Sequence, residues 1–144
     1  MGSLQIKTVI YQAQIPAIKF IRTKVFQEEQ GVASELEFDG LDQNAIHLLA
    51  FLNNRAVGTA RIREIDRETA KIERLSVLTE ARNQGIGRKL METALESISR
   101  MNKPRAIVHA QEYIAPLYQQ LGFEKVGEKF SEAGIAHVKM VKQL

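Results

Sequence analysis

Two periodicities of hydrophobic residues divide this chain into strands and helices. Leu4, Ile6 and Ile10 alternate with polar neighbours, which is the period of a half-buried strand. From Ile86 to Ile98 the apolar residues recur at helical spacing, with charged residues on the opposite side. The same patterns predict strands over 4–11, 45–52, 56–65, 72–77, 106–110, 123–130 and 135–141, and helices over 14–30, 86–98 and 113–120.

The resulting order is β-α-β-β-β-α-β-α-β-β. Neither a pure series of parallel βαβ units nor a pure antiparallel meander has this order, so we expect a mixed α/β fold with a central mixed sheet covered by helices. Residues 34–44 between the first helix and the second strand read as a polar, acidic loop. The chain shows no repeat, linker or low-complexity segment, and residues 1–144 are therefore predicted to form one domain.

The stretch from strand 72–77 into the helix at Ile86 carries the clearest chemical signal. Gly85 and Gly87 leave the backbone bare at a helix start, where free N–H groups and the helix dipole attract anions. A third glycine, needed for a dinucleotide-binding fingerprint, is replaced by Leu90, and no Gly-Lys-Ser/Thr motif follows. The loop therefore predicts a phosphate-binding site. The alternative is a glycine-rich helix start that binds no ligand.

Composition narrows the classes of function. With 44% hydrophobic and 26% charged residues in a chain of 144, we expect an ordinary globular domain, and residues 1–7 lack the apolar core of a secretion signal, so a cytoplasmic location is expected. No apolar run is long enough to predict a membrane span. The 20 basic residues are interspersed with 17 acidic ones and aromatic residues make up only 6%, so we expect no nucleic-acid partner. There is no cysteine, and the three histidines are widely separated, so no metal site is expected.

Several motifs together resemble a known family. Arg-x-x-Gly-x-Gly at 82–87, after Leu-Ser-Val at 75–77, is similar to the acetyl-CoA pyrophosphate loop of the GNAT superfamily of N-acetyltransferases. Ala-Pro-Leu-Tyr-Gln-Gln-Leu-Gly-Phe at 115–123 resembles that family's Tyr…Gly-Phe segment. Segments at 25–32, 45–50, 109–111 and 134–137 resemble its ElaA/YjcF-like branch. The resemblance implies a sheet that splays between two neighbouring strands, acetyl-CoA in the gap, and a possible homodimer.

The resemblance also implies how acetyl-CoA would be held. The pantetheine arm would lie along Leu75, Ser76 and Val77, and a backbone N–H near Val77 would polarise the thioester carbonyl. The residues implied for the pyrophosphate are Arg82, Asn83, Gln84, Gly85, Ile86, Gly87 and Arg88. An amine attacks such a thioester directly, so a covalent enzyme intermediate is not needed.

Three residues are candidates for moving protons. Tyr118 matches a position where the family often carries a tyrosine, which implies a general acid for the leaving thiolate; a buried core tyrosine is the alternative. Strand alternation places Glu73 on the face of Leu75 and Val77, which makes it a candidate general base, or else an ion-paired glutamate. His109, on the strand that would flank the gap, is a second candidate base because imidazole commonly accepts protons in catalysis; a core or ligand-lining histidine is the alternative.

The acceptor side is predicted from charge and spacing. Glu37 and Asp39 in the acidic loop would attract a cationic amine, unless the loop is simply solvated. Arg22 and Glu29 are seven residues apart on one helix face and are predicted to border the acceptor pocket. The sequence does not distinguish a small-molecule amine from a protein amine as the acceptor. It is also compatible with a non-catalytic module that binds acyl-CoA as a sensor instead of an acetyltransferase.

Overall fold

The computed structural model describes residues 3–144 as one seven-stranded mixed sheet flanked by helices. The strands lie in the order β1-β2-β3-β4-β5-β7-β6. The elements are β1 (Leu4–Val9), α1 (Tyr11–Arg22), α2 (Ser34–Glu37), β2 (Ile46–Leu52), β3 (Arg55–Glu64), β4 (Thr69–Val77), α3 (Ile86–Arg100), β5 (Arg105–Gln111), α4 (Ala115–Gln120), β6 (Glu124–Glu132) and β7 (Ile135–Gln143).

Helices α1 and α3 cover opposite faces of the sheet. On β3, Gly58 faces α3 so closely that an added Cβ would stand 3.1 Å from the Leu90 side chain, which explains why this position holds glycine. Three residues further along the strand, Arg61 points to the other face. There it donates a hydrogen bond to the carboxylate of Asp42, which Arg22 of α1 also binds. The apolar stripe of α3 is fully buried: Ile86, Leu90, Met91, Ala94 and Ile98.

The sheet opens between two neighbouring parallel strands. β4 pairs with β5 only over its first three residues, Thr69 to Lys71, opposite Arg105 to Ile107. Beyond that point β5 continues to pair with β7 along its whole length, while β4 follows β3. The two strands therefore separate and leave a cleft between them. This confirms the mixed sheet predicted from the order of elements and the splay that the family resemblance implies.

The predicted order of strands and helices is confirmed, with two differences. The predicted helix 14–30 begins at Tyr11, kinks at Gln14 just ahead of Pro16, and finishes as a π-helix over Thr23–Glu29. Proline removes a backbone donor and its ring crowds the preceding turn, which accounts for the kink. The predicted loop 34–44 contains the one-turn helix α2 and is anchored to the sheet by ion pairs rather than being solvated.

Candidate acetyl-CoA and catalytic site

A cavity of about 770 Å³ occupies the cleft between β4 and β5. It extends from the first turn of α3 to the hairpin that joins β6 and β7. Arg22, Glu29 and Gln84 do not line it. The predicted site residues that do line it are Glu37, Asp39, Glu73, Leu75, Ser76, Val77, Arg82, Asn83, Gly85, Ile86, Gly87, Arg88, His109 and Tyr118.

The first turn of α3 faces this cavity with little side-chain cover. Gly85 caps the helix in a left-handed conformation, with φ at +76°, and a Cβ there would touch nothing within 4 Å. At Gly87 a Cβ would approach only Val77, at 3.9 Å. The backbone N–H groups that begin the 15-residue helix are thus accessible to an anion, and the helix dipole favours negative charge at that end.

Arg82 is already engaged with protein groups. Its Nη1 and Nη2 donate to the two carboxylate oxygens of Glu29 at 2.6 and 2.5 Å, and its Nε donates to the Val77 carbonyl at 2.9 Å. These bonds tie the end of the first helical segment to the end of β4 and to the glycine loop. Glu29 thus lies outside the cavity wall and holds Arg82 in place, which gives no support to the prediction that it borders the acceptor pocket.

A bulge interrupts β4 beside the cleft. Thr59 pairs with Ser76 and Arg61 with Glu73, so β4 carries one residue more than β3 at this point. Arg74 supplies it in a left-handed conformation, with φ at +57°, and its carbonyl accepts a hydrogen bond from Ser76 Oγ at 3.0 Å. Strict alternation from Glu73 to Val77 therefore fails. Glu73 nevertheless lines the cavity together with Leu75 and Val77.

Glu73 is surrounded by cations. Its carboxylate accepts hydrogen bonds from Arg61 Nε at 2.8 Å, from Arg61 Nη2, and from Arg63 Nη2 at 2.7 Å, and Lys71 Nζ lies 3.4 Å away. Burial alone would raise the pKa of Glu73, but the hydrogen bonds from Arg63 and the charge of Arg61 outweigh it and lower the pKa to about 2. So weak a base is poorly suited to deprotonate an amine. Glu73 is thus an ion-paired glutamate, which is the alternative that the sequence left open.

Two buried arginines anchor the acidic loop to the sheet. Arg22 and Arg61 are each 1% exposed. Arg22 binds Glu37 through Nε at 2.7 Å and Asp42 through Nη1 at 2.6 Å, while Arg61 binds Asp42 and Asp39 at 3.0 and 2.9 Å. The guanidinium of Arg22 is enclosed by these carboxylates and does not line the cavity, so the prediction that Arg22 borders the acceptor pocket gains no support.

The charge of the acidic loop is largely neutralised inside the protein. Glu37 and Asp42 are 2% and 6% exposed and face arginines. Asp39 binds Arg61 and also Arg74. Glu37 and Asp39 line the cavity, but both are paired with guanidinium groups, so an attraction of these two carboxylates for a cationic amine stays a prediction.

Tyr118 lies in the cavity wall with most of its ring buried. The side chain is 7% exposed and its ring meets that of Phe123 edge-on, with centroids 5.9 Å apart. Burial, and secondarily the nearby Tyr113, raise the pKa of Tyr118 above the ordinary phenol value, and no hydrogen bond contributes to that shift. The phenol is protonated at neutral pH, as a proton donor must be, and its raised pKa makes it a weaker acid than an exposed tyrosine.

His109 stands on the opposite wall, on β5, with a partner that the sequence did not reveal. Its Nδ1 lies 3.1 Å from Glu132 Oε1 at the end of β6, and Nε2 of His137 on β7 lies 3.7 Å from Glu132 Oε2. Glu132 and His137 also line the cavity. The residues 131–134 read as a turn, but only the β5-β7-β6 order places Glu132 next to His109.

Two general features of the described residues bear on the class of site. No group of three or more histidines and carboxylates within residues 3–144 is arranged to hold a metal ion. Over the same residues, none of the helices combines the length and the apolar character that crossing a membrane requires.

Comparison by sequence identifies relatives along nearly the whole chain. The model of the acetyltransferase (GNAT) domain matches residues 11–144. YyaT and YjcF of Bacillus subtilis are 35% and 31% identical to this chain, over 98% and 91% of it and 97% and 94% of their own lengths. The protein ElaA of Escherichia coli is 31% identical over 92% of this chain and 89% of its own.

Solved structures show the same fold. An acyl-CoA N-acyltransferase from Pseudomonas aeruginosa superposes with a TM-score of 0.84 at 27% identity, covering 99% of both chains. Escherichia coli ElaA gives 0.83 at 26% identity, over 98% of this chain and 99% of its own. A GNAT family acetyltransferase from Elizabethkingia anophelis, solved with acetyl-CoA bound, gives 0.79 at 20% identity over 98% of each chain. Together with the splayed sheet and the glycine loop, these matches show that the chain belongs to the GNAT acetyltransferase family, in its ElaA/YjcF-like branch.

Proposed function

We propose that this protein transfers the acetyl group of acetyl-CoA directly to a primary amine, on a small molecule or a protein, with both bound together in the cleft. The observation that carries the proposal is the position of that cleft. It opens where β4 and β5 part, and at one end it meets the uncovered first turn of α3. The unpaired edge of β4 and the anion-binding start of α3 thus lie next to each other.

The residues of the cleft fit acetyl-CoA, which would supply the acetyl thioester. A Cβ at Gly85 would touch nothing within 4 Å, so the space in front of the helix start is free for a pyrophosphate. The backbone N–H groups from Gly85 to Arg88 would hold the phosphates, and the free edge of β4 at Leu75 to Val77 would hold the pantetheine arm. The structural neighbour from Elizabethkingia anophelis, described with acetyl-CoA bound, supports this assignment of the cleft.

Two side chains are suited to the proton transfers. A primary amine must lose a proton as its nitrogen bonds to the acetyl carbon, and the departing thiolate must gain one. His109, whose Nδ1 faces a carboxylate, is the better candidate base. Tyr118 is the candidate acid because it carries a phenolic proton and lies in the cavity wall. Glu73 instead fixes Arg61 and Arg63 at the cavity wall.

Calorimetric titration with acetyl-CoA is the first test. We compare the wild type with Gly87→Asp, which adds bulk and negative charge at the helix start, and with the control Gly87→Ala, whose Cβ meets only ordinary contacts. We expect binding by the wild type and the alanine variant and its loss in the aspartate variant. Absence of binding by the wild type would remove the basis of the proposal.

Thiol release in the presence of a panel of amines then separates an enzyme from a binding module. We expect release that depends on the amine, with acetylated amine detected by mass spectrometry in equal amount. Tight acetyl-CoA binding without amine-dependent release would favour the alternative, a non-catalytic acyl-CoA sensor.

A further inference from the structure

We propose that Glu132 is a positioning residue that fixes the tautomer and orientation of His109, so that Nε2 of His109 is the atom that accepts the proton of the acceptor amine. This inference rests on the proposed function for its chemistry, but its structural content can be tested separately. Nothing in the sequence singles out Glu132, since it lies 23 residues from His109, at the end of β6 and beyond α4.

The sheet places these side chains on one face of three adjacent strands. On β5 and β7, Gln111 pairs with His137, and on β7 and β6, His137 pairs with Phe130. Residues directly opposite in a ladder share a face, as do residues two apart on a strand. His109, two residues before Gln111, and Glu132, two residues after Phe130, therefore belong to the same face, which is the face towards the cavity.

The turn after β6 fixes where Glu132 stands. Ala133 and Gly134 both adopt left-handed conformations, with φ at +52° and +76°, and Glu132 pairs with Ile135 directly across them. Such two-residue turns set the register of the hairpin. Glu132 is thus the last residue of β6, held by the ladder rather than carried on a mobile loop.

The hydrogen-bond partners of His109 and His137 determine which ring nitrogen carries the proton. An ionised carboxylate only accepts, so the 3.1 Å contact between His109 Nδ1 and Glu132 Oε1 requires a proton on Nδ1. In the neutral ring this leaves the lone pair on Nε2. His137 follows the same rule, because its Nδ1 must donate to the Ile135 carbonyl at 2.7 Å. Its Nε2 then faces the second oxygen of Glu132 at 3.7 Å.

The ring of His109 is also held sterically. Phe130 meets it edge-on, with centroids 5.1 Å apart, and stacks on His137 at 5.9 Å. The hydrogen bond from His109 lowers the pKa of Glu132, so the carboxylate is ionised at neutral pH. Its charge would stabilise the imidazolium that forms when Nε2 takes up a proton.

The test combines a spectroscopic and a kinetic measurement on the full chain. Glu132→Ala removes the acceptor, Glu132→Gln removes the charge, and Glu128→Gln is the matched control, an exposed glutamate on the same strand outside the cavity wall. Imidazole ¹⁵N–¹H correlation spectra of the neutral ring should show His109 with its proton on Nδ1 in the wild type and the control. In Glu132→Ala the population should move towards the Nε2–H form.

The kinetic expectation is a loss confined to turnover. In both Glu132 variants kcat should fall at least about tenfold, which is less than the about 10²–10⁴ that a general base contributes because His109 itself remains. The acceptor KM and the acetyl-CoA Kd should stay within about threefold, and Glu128→Gln should behave as the wild type. A wild-type His109 protonated on Nε2, or a tautomer unchanged in Glu132→Ala, overturns the inference. Absence of turnover by the wild type with every amine instead refutes the proposed function, while the spectra still decide the role of Glu132.

Discussion

Arg22 on α1 and Arg61 on β3 donate to the same oxygen of one carboxylate, Asp42 Oδ1, at 2.6 and 3.0 Å. Both arginines are 1% exposed, so their guanidinium charges are shielded from water. Both charges are balanced in part by the shared Asp42 carboxylate. The pair joins the first helix to the sheet beneath the cavity wall. Through Glu37 and Asp39 it also holds the segment around α2 against that wall.

Arg61→Met should destabilise the fold strongly. The substitution leaves Asp39, Asp42 and Glu73 without a shared cation, and breaking a buried ion pair on one side costs about 3–5 kcal/mol. Urea denaturation should show a lower midpoint with little change in slope. The control Arg67→Met removes an exposed arginine and should change the free energy of unfolding by less than about 0.5 kcal/mol. A loss below about 1 kcal/mol in Arg61→Met would contradict the account.

Stability should fall in acid partly through Glu73. Its pKa is lowered from 4.5 to about 2 in the folded state, so the native protein binds this proton more weakly than the unfolded chain does. The stabilisation is therefore complete above pH 4.5 and is lost as the pH falls towards 2. Urea titrations across this window should show a shallower decline for Glu73→Gln than for the wild type. The control Glu35→Gln, at an exposed position, should keep the wild-type slope.

Tyr118→Phe should slow acetyl transfer without weakening acetyl-CoA binding. The change deletes only the hydroxyl that would protonate the thiolate, and general-acid contributions amount to about 10²–10⁴ in rate. Thiol-release kinetics and calorimetry measure the two quantities. Tyr11→Phe, which lies outside the cavity wall and keeps its stacking on His47, is the control. Equal losses of kcat and affinity would show that Tyr118 acts through packing alone.

Arg82→Gln should weaken acetyl-CoA binding by about tenfold, or about 1.4 kcal/mol. It removes a positive charge beside the glycine loop and the clamp to Glu29 and the Val77 carbonyl. Because the ion pair is partly exposed, its contribution to folding is only about 0.2–1 kcal/mol, so the melting temperature should change little. Arg55→Gln breaks a comparable exposed pair with Glu80 outside the cavity and should leave affinity unchanged.

The parts of the molecule that depend on neighbouring residues in sequence could be predicted. The strand, glycine loop and helix around Gly85 were evident because their signals lie within a few residues of each other. The buried state of Arg22 could not be foreseen, since its partners Glu37 and Asp42 lie 15 and 20 residues away in an apparently polar loop. The bulge at Arg74 carries no local signal, because the residue that takes the left-handed conformation is not a glycine.

The site shows the same limit. Tyr118, singled out by the family resemblance, and His109, singled out by its strand, both line the cavity, while their roles stay predictions. Glu132 was missed because β7, the last strand in the chain, lies between β5 and β6 in the sheet. Periodicity shows which residues share a face of one strand, but it does not show which strands are neighbours in the sheet. Contacts that depend on a non-consecutive strand order therefore cannot be derived from it.

The early end of pairing between β4 and β5 gives this protein a sheet edge in its interior. Beyond Lys71, β4 has no strand partner on the β5 side, so its backbone polar groups there lack the ladder that would satisfy them. Exposed edges usually invite pairing with another chain. Here the edge faces the cavity between β4 and β5 rather than the outer rim of the sheet, so an extended ligand can lie along it. A ligand whose own amide groups hydrogen-bond to this edge would extend the sheet and should slow hydrogen exchange along Leu75 to Val77.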